Sequence, residues 1–326
     1  MTDTGSRRQR SYNYDPELVP AASAYPEIDI ADVHNARQIM ANMRRQLPPF
    51  APPDTVQIEK RAVPGPPGDP DIELCIITPR NLAAPAPALY WIHGGGFVLG
   101  DVDGDMEAPT HVAAVLGAVA VSVEYRLAPE HPFPAPAEDC YAGLKWLAGN
   151  ASELRIDSAR VAIGGVSAGG GLAAAVALMA RDRGGPALCF QVLDIPDLDD
   201  RLTTPSMNAY ADTPVWNRPN AVLSWEAYLG PEHTGDISSY AAPARATDLS
   251  GLPAAYVVTC EFDPLRDEGI EYAQRLMQAG VPTELHHYPG TFHGSCVAAM
   301  GTAISRRMID DRTAALARAF GSDRPA

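Results

Sequence analysis

The segment GVSAG places Ser167 between two glycines, in the pattern G-x-S-x-G. The apolar run 160–166 precedes the serine and a helical stretch near 168–183 follows it, so the serine falls where a strand turns sharply into a helix. Glycines fit both flanking positions because those positions lie against neighbouring backbone in such a turn. The amide of Ala168 begins the helix and has no partner inside it. These features predict a nucleophilic Ser167 beside an amide that can bind an anion.

The same residues have two other interpretations. Glycines and a serine can simply form a tight turn. Gly169, Gly171 and Ala174 also fit the G-x-G-x-x-A pattern of dinucleotide-binding proteins, but they fall inside the predicted helix and not in the turn before it. The junction of strand and helix favours the nucleophile over both alternatives.

A serine hydroxyl attacks well only when a base accepts its proton, and a third group must orient that base. His293, in the segment YPGTFHG, follows the last predicted strand in a glycine-flanked loop, which is a suitable place for a base. His286 and His287 lie within that strand, where packing roles are expected. We therefore predict His293 as the general base.

The third group is expected in the segment EFDPLRDEG, which follows the apolar run 255–260. Its four carboxylates are Glu261, Asp263, Asp267 and Glu268. Asp263 directly precedes a proline, where the chain stays extended, whereas Asp267 and Glu268 fall at the start of a helix and are expected to cap it. The order Ser167, Asp263, His293 is the order found in α/β-hydrolases.

Three glycines directly follow His93 in the segment ALYWIHGGGFVLGD, at the end of an apolar strand. Attack on a carbonyl places negative charge on its oxygen, and each preorganised donor to that oxygen lowers the barrier by about 3 kcal/mol. Backbone without a Cβ can bring amides against the substrate. Gly95 and Gly96, together with Ala168, are therefore the predicted oxyanion-hole donors, and we expect His93 to fix the loop by hydrogen bonding.

The elements that position these residues alternate along the chain as strand and helix, which indicates a mostly parallel sheet covered on both faces. The segment between the first two strands is rich in proline and glycine and predicts an antiparallel hairpin. The predicted strands are 55–63, 71–79, 88–92, 118–124, 160–166, 187–194, 255–260 and PTELHHYP, and the predicted helices lie near 107–116, 134–149, 168–183, 265–279 and 296–320.

Two segments do not fit this alternation. Residues 1–50 are polar and loosely helical in pattern, and residues from about 194 to 231 are too long and irregular for a simple crossover. We predict an N-terminal cap segment at 1–50, a catalytic domain at 51–326, and a cap insertion at about 194–231.

The amino-acid composition restricts the kinds of partner that this chain can bind. Lys and Arg total 25 against 40 Asp and Glu, and the net charge of -15 disfavours nucleic acid and anionic membranes. No apolar run reaches the ~18 residues of a membrane-spanning helix, and no secretory signal is recognisable. Five separated cysteines predict free thiols in a reducing compartment, so a cytoplasmic protein without metal or cofactor is expected.

From about Ala88 to Phe320 the sequence resembles the bacterial hormone-sensitive-lipase-like carboxylesterases, which have the α/β-hydrolase fold. The segments that carry the resemblance are HGGGF, EYRLAPEHPFPA, GVSAGG, DPLRDEG and YPGTFHG. The resemblance implies a helical cap, short to medium acyl esters as substrates, and a possible homodimer. It also implies a nucleophile, a base, an acid and three oxyanion donors at Ser167, His293, Asp263, Gly95, Gly96 and Ala168.

Some positions depart from the family pattern: Val166 stands where Asp or Thr is common, Gly171 where Asn is frequent, and Ser295 where an aromatic residue often occurs. The polar residues of EYRLAPEHPFPA are expected to form a buried, ion-paired scaffold. An amidase or deacetylase would use the same residues as an esterase. A non-catalytic ligand-binding protein on this fold is a further alternative, although such proteins lack a working base.

Overall fold

The computed structural model describes residues 12–231 and 235–321. Residues 1–11 of the predicted N-terminal cap segment, residues 232–234 after the predicted insertion, and residues 322–326 of the predicted catalytic domain lie outside the described residues. Within the described ranges, none of the helices combines the length and the apolar character needed to cross a bilayer.

Eight strands form one sheet in the described part of the chain, as predicted. Their order across the sheet is β1-β2-β4-β3-β5-β6-β7-β8. The first two strands form the expected antiparallel hairpin, β2 is also antiparallel to β4, and every other neighbouring pair is parallel. The strands are β1 (Val56–Val63), β2 (Ile72–Pro79), β3 (Ala86–Ile92), β4 (Val119–Glu124), β5 (Ile156–Val166), β6 (Phe190–Asp194), β7 (Ala254–Phe262) and β8 (Thr283–Phe292).

Helices cover both faces of this sheet, which confirms the predicted α/β class. Side chains of α4, α5 and α8 pack in the apolar core on one face, and side chains of α3 and α10 pack in the core on the other. The α-helices among the described residues are α1 (Val19–Ala24), α2 (Val33–Gln46), α3 (Glu107–Leu116), α4 (Ala135–Gly149), α5 (Ala168–Asp182), α6 (Pro205–Ala209), α7 (Arg218–Leu229), α8 (Arg266–Gln278), α9 (Ser295–Ala298) and α10 (Ala303–Ala319).

Several predicted boundaries were wrong. The strand predicted at 160–166 begins at Ile156, and the last strand extends beyond PTELHHYP to Phe292. The single final helix expected at 296–320 is divided into α9 and α10, because Thr302 begins a new helix and its Oγ1 accepts a hydrogen bond from the amide of Ser305. The strand predicted at 187–194 begins only at Phe190, where pairing with β7 starts.

The N-terminal helix α2 packs against the inserted segment that follows β6. Ile28, Ile30 and Ala36 share a buried apolar cluster with Met207 and Trp216. The side chain of Asn220, in α7, joins the same two segments, since its Nδ2 donates to the carbonyl of Ile28 at 2.7 Å. The N-terminal segment and the insertion therefore form one packed layer.

The scaffold predicted for EYRLAPEHPFPA is ion-paired but only partly buried. Arg126 donates to the fully buried carboxylate of Asp139, with a shortest distance of 2.7 Å. Glu130 is exposed and pairs at 2.7 Å with Arg37 of α2. The prediction of burial was wrong for Glu130 and His131, which are both exposed. The partner of Glu130 belongs to α2, which meets this segment at the protein surface.

Candidate active site

Ser167 occupies the turn between β5 and α5, with φ of +57°. Such a conformation is uncommon for a residue with a side chain, and here backbone bonds hold it on both sides. The amide of Ser167 donates to the carbonyl of Asp194 at 2.8 Å, and its carbonyl accepts from the amide of Asp197 at 3.1 Å. The strained turn places the hydroxyl within hydrogen-bond distance of the imidazole of His293.

The glycines on either side of this turn lie against neighbouring backbone, as the sequence indicated. A Cβ on Gly165 or Gly169 would collide with backbone carbonyls of neighbouring segments. Gly171, one of the expected departures from the family pattern, has a similar explanation, because a Cβ there would collide with the carbonyl of Asp197. Close backbone contact therefore requires glycine at all three positions.

His293 follows β8 directly, and its imidazole lies between Ser167 and Asp263. Its Nε2 lies 2.9 Å from Oγ of Ser167, and its Nδ1 lies 2.8 Å from Oδ2 of Asp263. An ionised carboxylate only accepts hydrogen bonds, so Nδ1 carries the proton and Nε2 presents its lone pair to the serine hydroxyl. The exposed fractions are 6% for Ser167, 4% for His293 and 1% for Asp263. The three predicted side chains are thus brought into one buried hydrogen-bonded chain.

Asp263 is itself held in place at the end of β7. Its Oδ1 accepts from the amide of Leu265 at 2.9 Å, which leaves Oδ2 for the imidazole. Asp267 and Glu268 were expected to cap α8, but their carboxylates accept hydrogen bonds from a different segment of the chain. Asp267 accepts from the amide of Ser206, and Glu268 accepts from the amide of Leu198. The capping prediction was wrong because the inserted segment supplies amide donors to both carboxylates.

The glycine loop lies beside the serine. A Cβ on Gly94 would be 3.4 Å from the Cβ of Ser167. Gly95 and Gly96 have φ of +127° and +57°, values that favour glycine. Among residues 12–231 and 235–321, none accepts a hydrogen bond from the amide of Gly95, Gly96 or Ala168. These amides are therefore available to a bound oxygen.

His93 fixes this loop, as the sequence predicted. Its Nδ1 donates to the carbonyl of Gly94 at 2.8 Å, and its ring stacks on Tyr125 with 4.2 Å between ring centroids. Tyr125 also donates its hydroxyl proton to the carbonyl of His93 at 3.0 Å. Burial lowers the pKa of His93 to about 4, so the imidazole is neutral near pH 7.

The lowered pKa of His93 predicts a loss of folding stability in mild acid. Between pH 6.5 and 4 the unfolded chain binds a proton at His93 that the folded chain does not bind, so stability falls as the pH falls. From pH 6.5 to 4.5 we expect the wild type to lose about 2–3 kcal/mol more than His93→Gln, measured by urea unfolding. The other buried ionisable groups are present in both proteins and cancel in the comparison. Parallel pH profiles for the two proteins would contradict this prediction.

Residues 89–297 match a protein family described as having the alpha/beta hydrolase fold. The chain belongs to this family. Its relatives include carboxylesterase NlhH of Mycobacterium tuberculosis, 38% identical over 313 residues that cover 94% of this chain and 96% of NlhH. Esterase LipI of the same organism is 37% identical and covers 86% of this chain and 87% of its own length.

A solved structure titled bacterial heroin esterase is 50% identical to this α/β-hydrolase, with a TM-score of 0.91. The alignment covers 94% of this chain and 98% of the other chain. These similarities confirm the resemblance to bacterial carboxylesterases that the sequence motifs indicated.

Asp197 is a buried acid near this site that sequence reasoning missed. Its Oδ1 accepts from the indole of Trp225 at 3.0 Å. Burial raises the pKa of Asp197 to about 7, while the nearby His293 opposes that shift. Asp263, which accepts two hydrogen bonds, is the better partner for a charged imidazole. The acidic run DIPDLDD, which begins at the last residue of β6, was the available signal for Asp197, since β6 and β7 end at the same edge of the sheet.

Proposed function

We propose that this α/β-hydrolase is a carboxylic ester hydrolase that works through an acyl-enzyme. Ser167 is the nucleophile, His293 the general base, and Asp263 the acid that orients the imidazole. The observation that carries the proposal is the buried chain of two hydrogen bonds, 2.9 Å and 2.8 Å long, that joins the three side chains. Carboxylesterase and esterase are also the names of the relatives that span most of the chain.

The reaction follows from this geometry. Oγ of Ser167 attacks the carbonyl carbon of the ester while Nε2 of His293 takes the hydroxyl proton. The carboxylate of Asp263 stabilises the imidazolium through the proton on Nδ1. His293 then gives its proton to the departing alcohol, and an acyl-enzyme remains on Ser167. A water molecule, deprotonated by the same imidazole, then attacks the acyl carbon. The bond from that carbon to Oγ of Ser167 breaks, His293 returns the proton to Oγ, and the acid is released.

We propose the amides of Gly95, Gly96 and Ala168 as the donors that bind the oxyanion of each tetrahedral intermediate. Two facts support this proposal: these amides have no acceptor among the described residues, and the glycine loop lies against Ser167. Ala168 also begins α5, where the positive end of the helix dipole favours negative charge.

We further propose that the N-terminal segment up to residue 50 and the insertion at about 194–231 form the cap over this site, with residues 51–326 as the catalytic domain. Their shared apolar cluster supports this division. Arg37 of α2 binds the loop that contains the three glycines after β3, since its Nε donates to the carbonyl of Val98 at 2.9 Å. We propose short to medium acyl esters as substrates. Heroin carries acetyl esters, so the name heroin esterase for a relative supports the short end of that range.

Labelling with a fluorophosphonate tests this function, because the reagent reacts with an activated serine. We expect one phosphonyl group per chain, located by peptide mass spectrometry on Ser167, and no labelling of His293→Ala. Absence of labelling in the folded wild type would indicate a binding protein and would overturn the proposal. Assaying 4-nitrophenyl butyrate and 4-nitrobutyranilide separates an esterase from an amidase: we expect hydrolysis of the ester, and no hydrolysis of the anilide above the rate of Ser167→Ala. The cytoplasmic location and the homodimer stay predictions.

A further inference from the structure

Trp216 carries a buried hydrogen-bond donor that no side chain or carbonyl of the described residues accepts. Its side chain is 5% exposed, and its indole Nε1 is buried without an acceptor in residues 12–231 and 235–321. Two other buried tryptophans do have acceptors, since Trp91 donates to Asp105 at 2.9 Å and Trp225 donates to Asp197 at 3.0 Å. A buried donor without a partner is costly and calls for a specific explanation, such as a ligand.

The ring of Trp216 lies beside the groups proposed to react with the ester. A Cβ on Gly96 would collide with the ring. The ring centroid is 6.1 Å from the centroid of the His293 imidazole. The ring of Trp216 therefore lies next to both the glycine loop and the His293 imidazole.

The backbone that holds Trp216 in this position is strained. The amide of Trp216 donates to the carbonyl of Pro214 at 2.8 Å, which closes a three-residue turn around Val215. Val215 has φ of +67°, a value that is rare and unfavourable for a β-branched residue. The hydroxyl of Thr213 closes the turn by donating to the carbonyl of Trp216 at 2.6 Å. Strain of this kind persists where the surrounding structure fixes a functional geometry.

We propose that the indole N–H of Trp216 binds the substrate and selects esters that carry a second acceptor oxygen, an ether or carbonyl oxygen near the scissile carbonyl. The proposal rests on the proposed ester hydrolysis. In the proposed reaction the backbone amides bind the scissile carbonyl oxygen, and His293 donates a proton to the alcohol oxygen. The indole N–H of Trp216 is therefore free to donate to a third oxygen of the substrate. An apolar group of the same shape would leave this donor unpaired, which is how a polar site rejects an isostere.

Two pairs of isosteric esters test this proposal. 4-Nitrophenyl methoxyacetate and 4-nitrophenyl butyrate differ by an ether oxygen in place of a methylene in the acyl group. 2-Methoxyethyl acetate and butyl acetate differ in the same way in the alcohol group. For at least one pair, we expect the ratio of kcat/KM values, oxygen-containing over apolar, to fall about 3- to 10-fold in Trp216→Phe relative to the wild type. Comparing ratios cancels the different chemical reactivity of the two esters.

The matched control is Trp225→Phe, which removes an indole N–H that already has an acceptor, and we expect the two ratios to stay unchanged in it. Unchanged ratios in Trp216→Phe for both pairs, or an equal fall in Trp225→Phe, would overturn the proposal. If Trp216→Phe fails to fold, the test uses the wild type alone. For each pair, the kcat/KM ratio is then divided by the ratio of the rate constants for alkaline hydrolysis of the same two esters. A value near one for both pairs would then overturn the proposal. If all four esters are hydrolysed and the ratios are unchanged in Trp216→Phe, only this inference is wrong. If none of the esters is hydrolysed, the proposed function is contradicted as well.

Discussion

Replacing Ser167 with alanine is expected to lower kcat for 4-nitrophenyl butyrate by about 10⁶-fold, the scale on which loss of a nucleophilic serine acts. The substitution removes Oγ, the atom proposed to form the acyl-enzyme, which lies 2.9 Å from Nε2 of His293. Steady-state hydrolysis at pH 7.5 measures the effect. Any contaminating hydrolase sets the lower limit, so the variant and the wild type are purified in parallel.

The fold of Ser167→Ala is expected to stay intact. Alanine has the same backbone requirements as serine in the turn, and the backbone bonds of residue 167 to Asp194 and Asp197 do not involve the side chain. The urea midpoint and the circular dichroism spectrum therefore serve as controls. Turnover close to the wild-type value in the folded variant would remove Ser167 from the mechanism.

Replacing Asp263 with asparagine is expected to lower kcat by about 10⁴-fold near pH 7, with a much smaller change in KM. The amide can still accept from the Leu265 N–H through its oxygen, but its NH₂ group then faces Nδ1 of His293. That contact favours a proton on Nε2, the nitrogen proposed to accept the serine proton. The imidazole is held in the wrong tautomer, and the negative charge that stabilises the imidazolium is lost.

Asp267→Asn is the matched control for this prediction. Asp267 lies four residues further along the chain, and its carboxylate accepts from the Ser206 amide instead of from His293. We expect activity of this variant to stay within about tenfold of the wild type, because no proton transfer depends on the group. Similar losses in the two variants would mean that Asp263 acts only by holding the loop after β7 in shape.

The elements of the fold could be predicted where local pattern and tertiary packing agree. The all-apolar strand β3 and the helix α5 are buried along almost their entire length, so composition alone distinguishes them from the connecting segments. The candidate site could be predicted for a related reason. Carboxyl ends of parallel strands meet at one edge, and Ser167, Asp263 and His293 each follow such a strand.

Prediction failed where a residue acts on a segment far away in the chain. The residues next to Glu268 in the sequence predict that it caps a helix. Its carboxylate instead accepts a hydrogen bond from the amide of Leu198, 70 residues away. Glu130 reads as part of a buried scaffold, yet its partner is Arg37, 93 residues away. No local pattern encodes such pairs, because the free energy of the contact appears only after both segments have packed.

The sequence by itself determined the order of strands and helices, the strained turn that carries Ser167, and the glycines that let backbone approach it. These features depend on steric and periodic properties of a few adjacent residues. The tertiary structure decided that Asp263 and not Asp197 faces His293. It also decided that Trp216 lies against Gly96 with an indole donor that no described residue accepts. Those outcomes depend on how the N-terminal segment and the insertion pack against the sheet edge, where side chains separated by many residues compete for the same few buried partners.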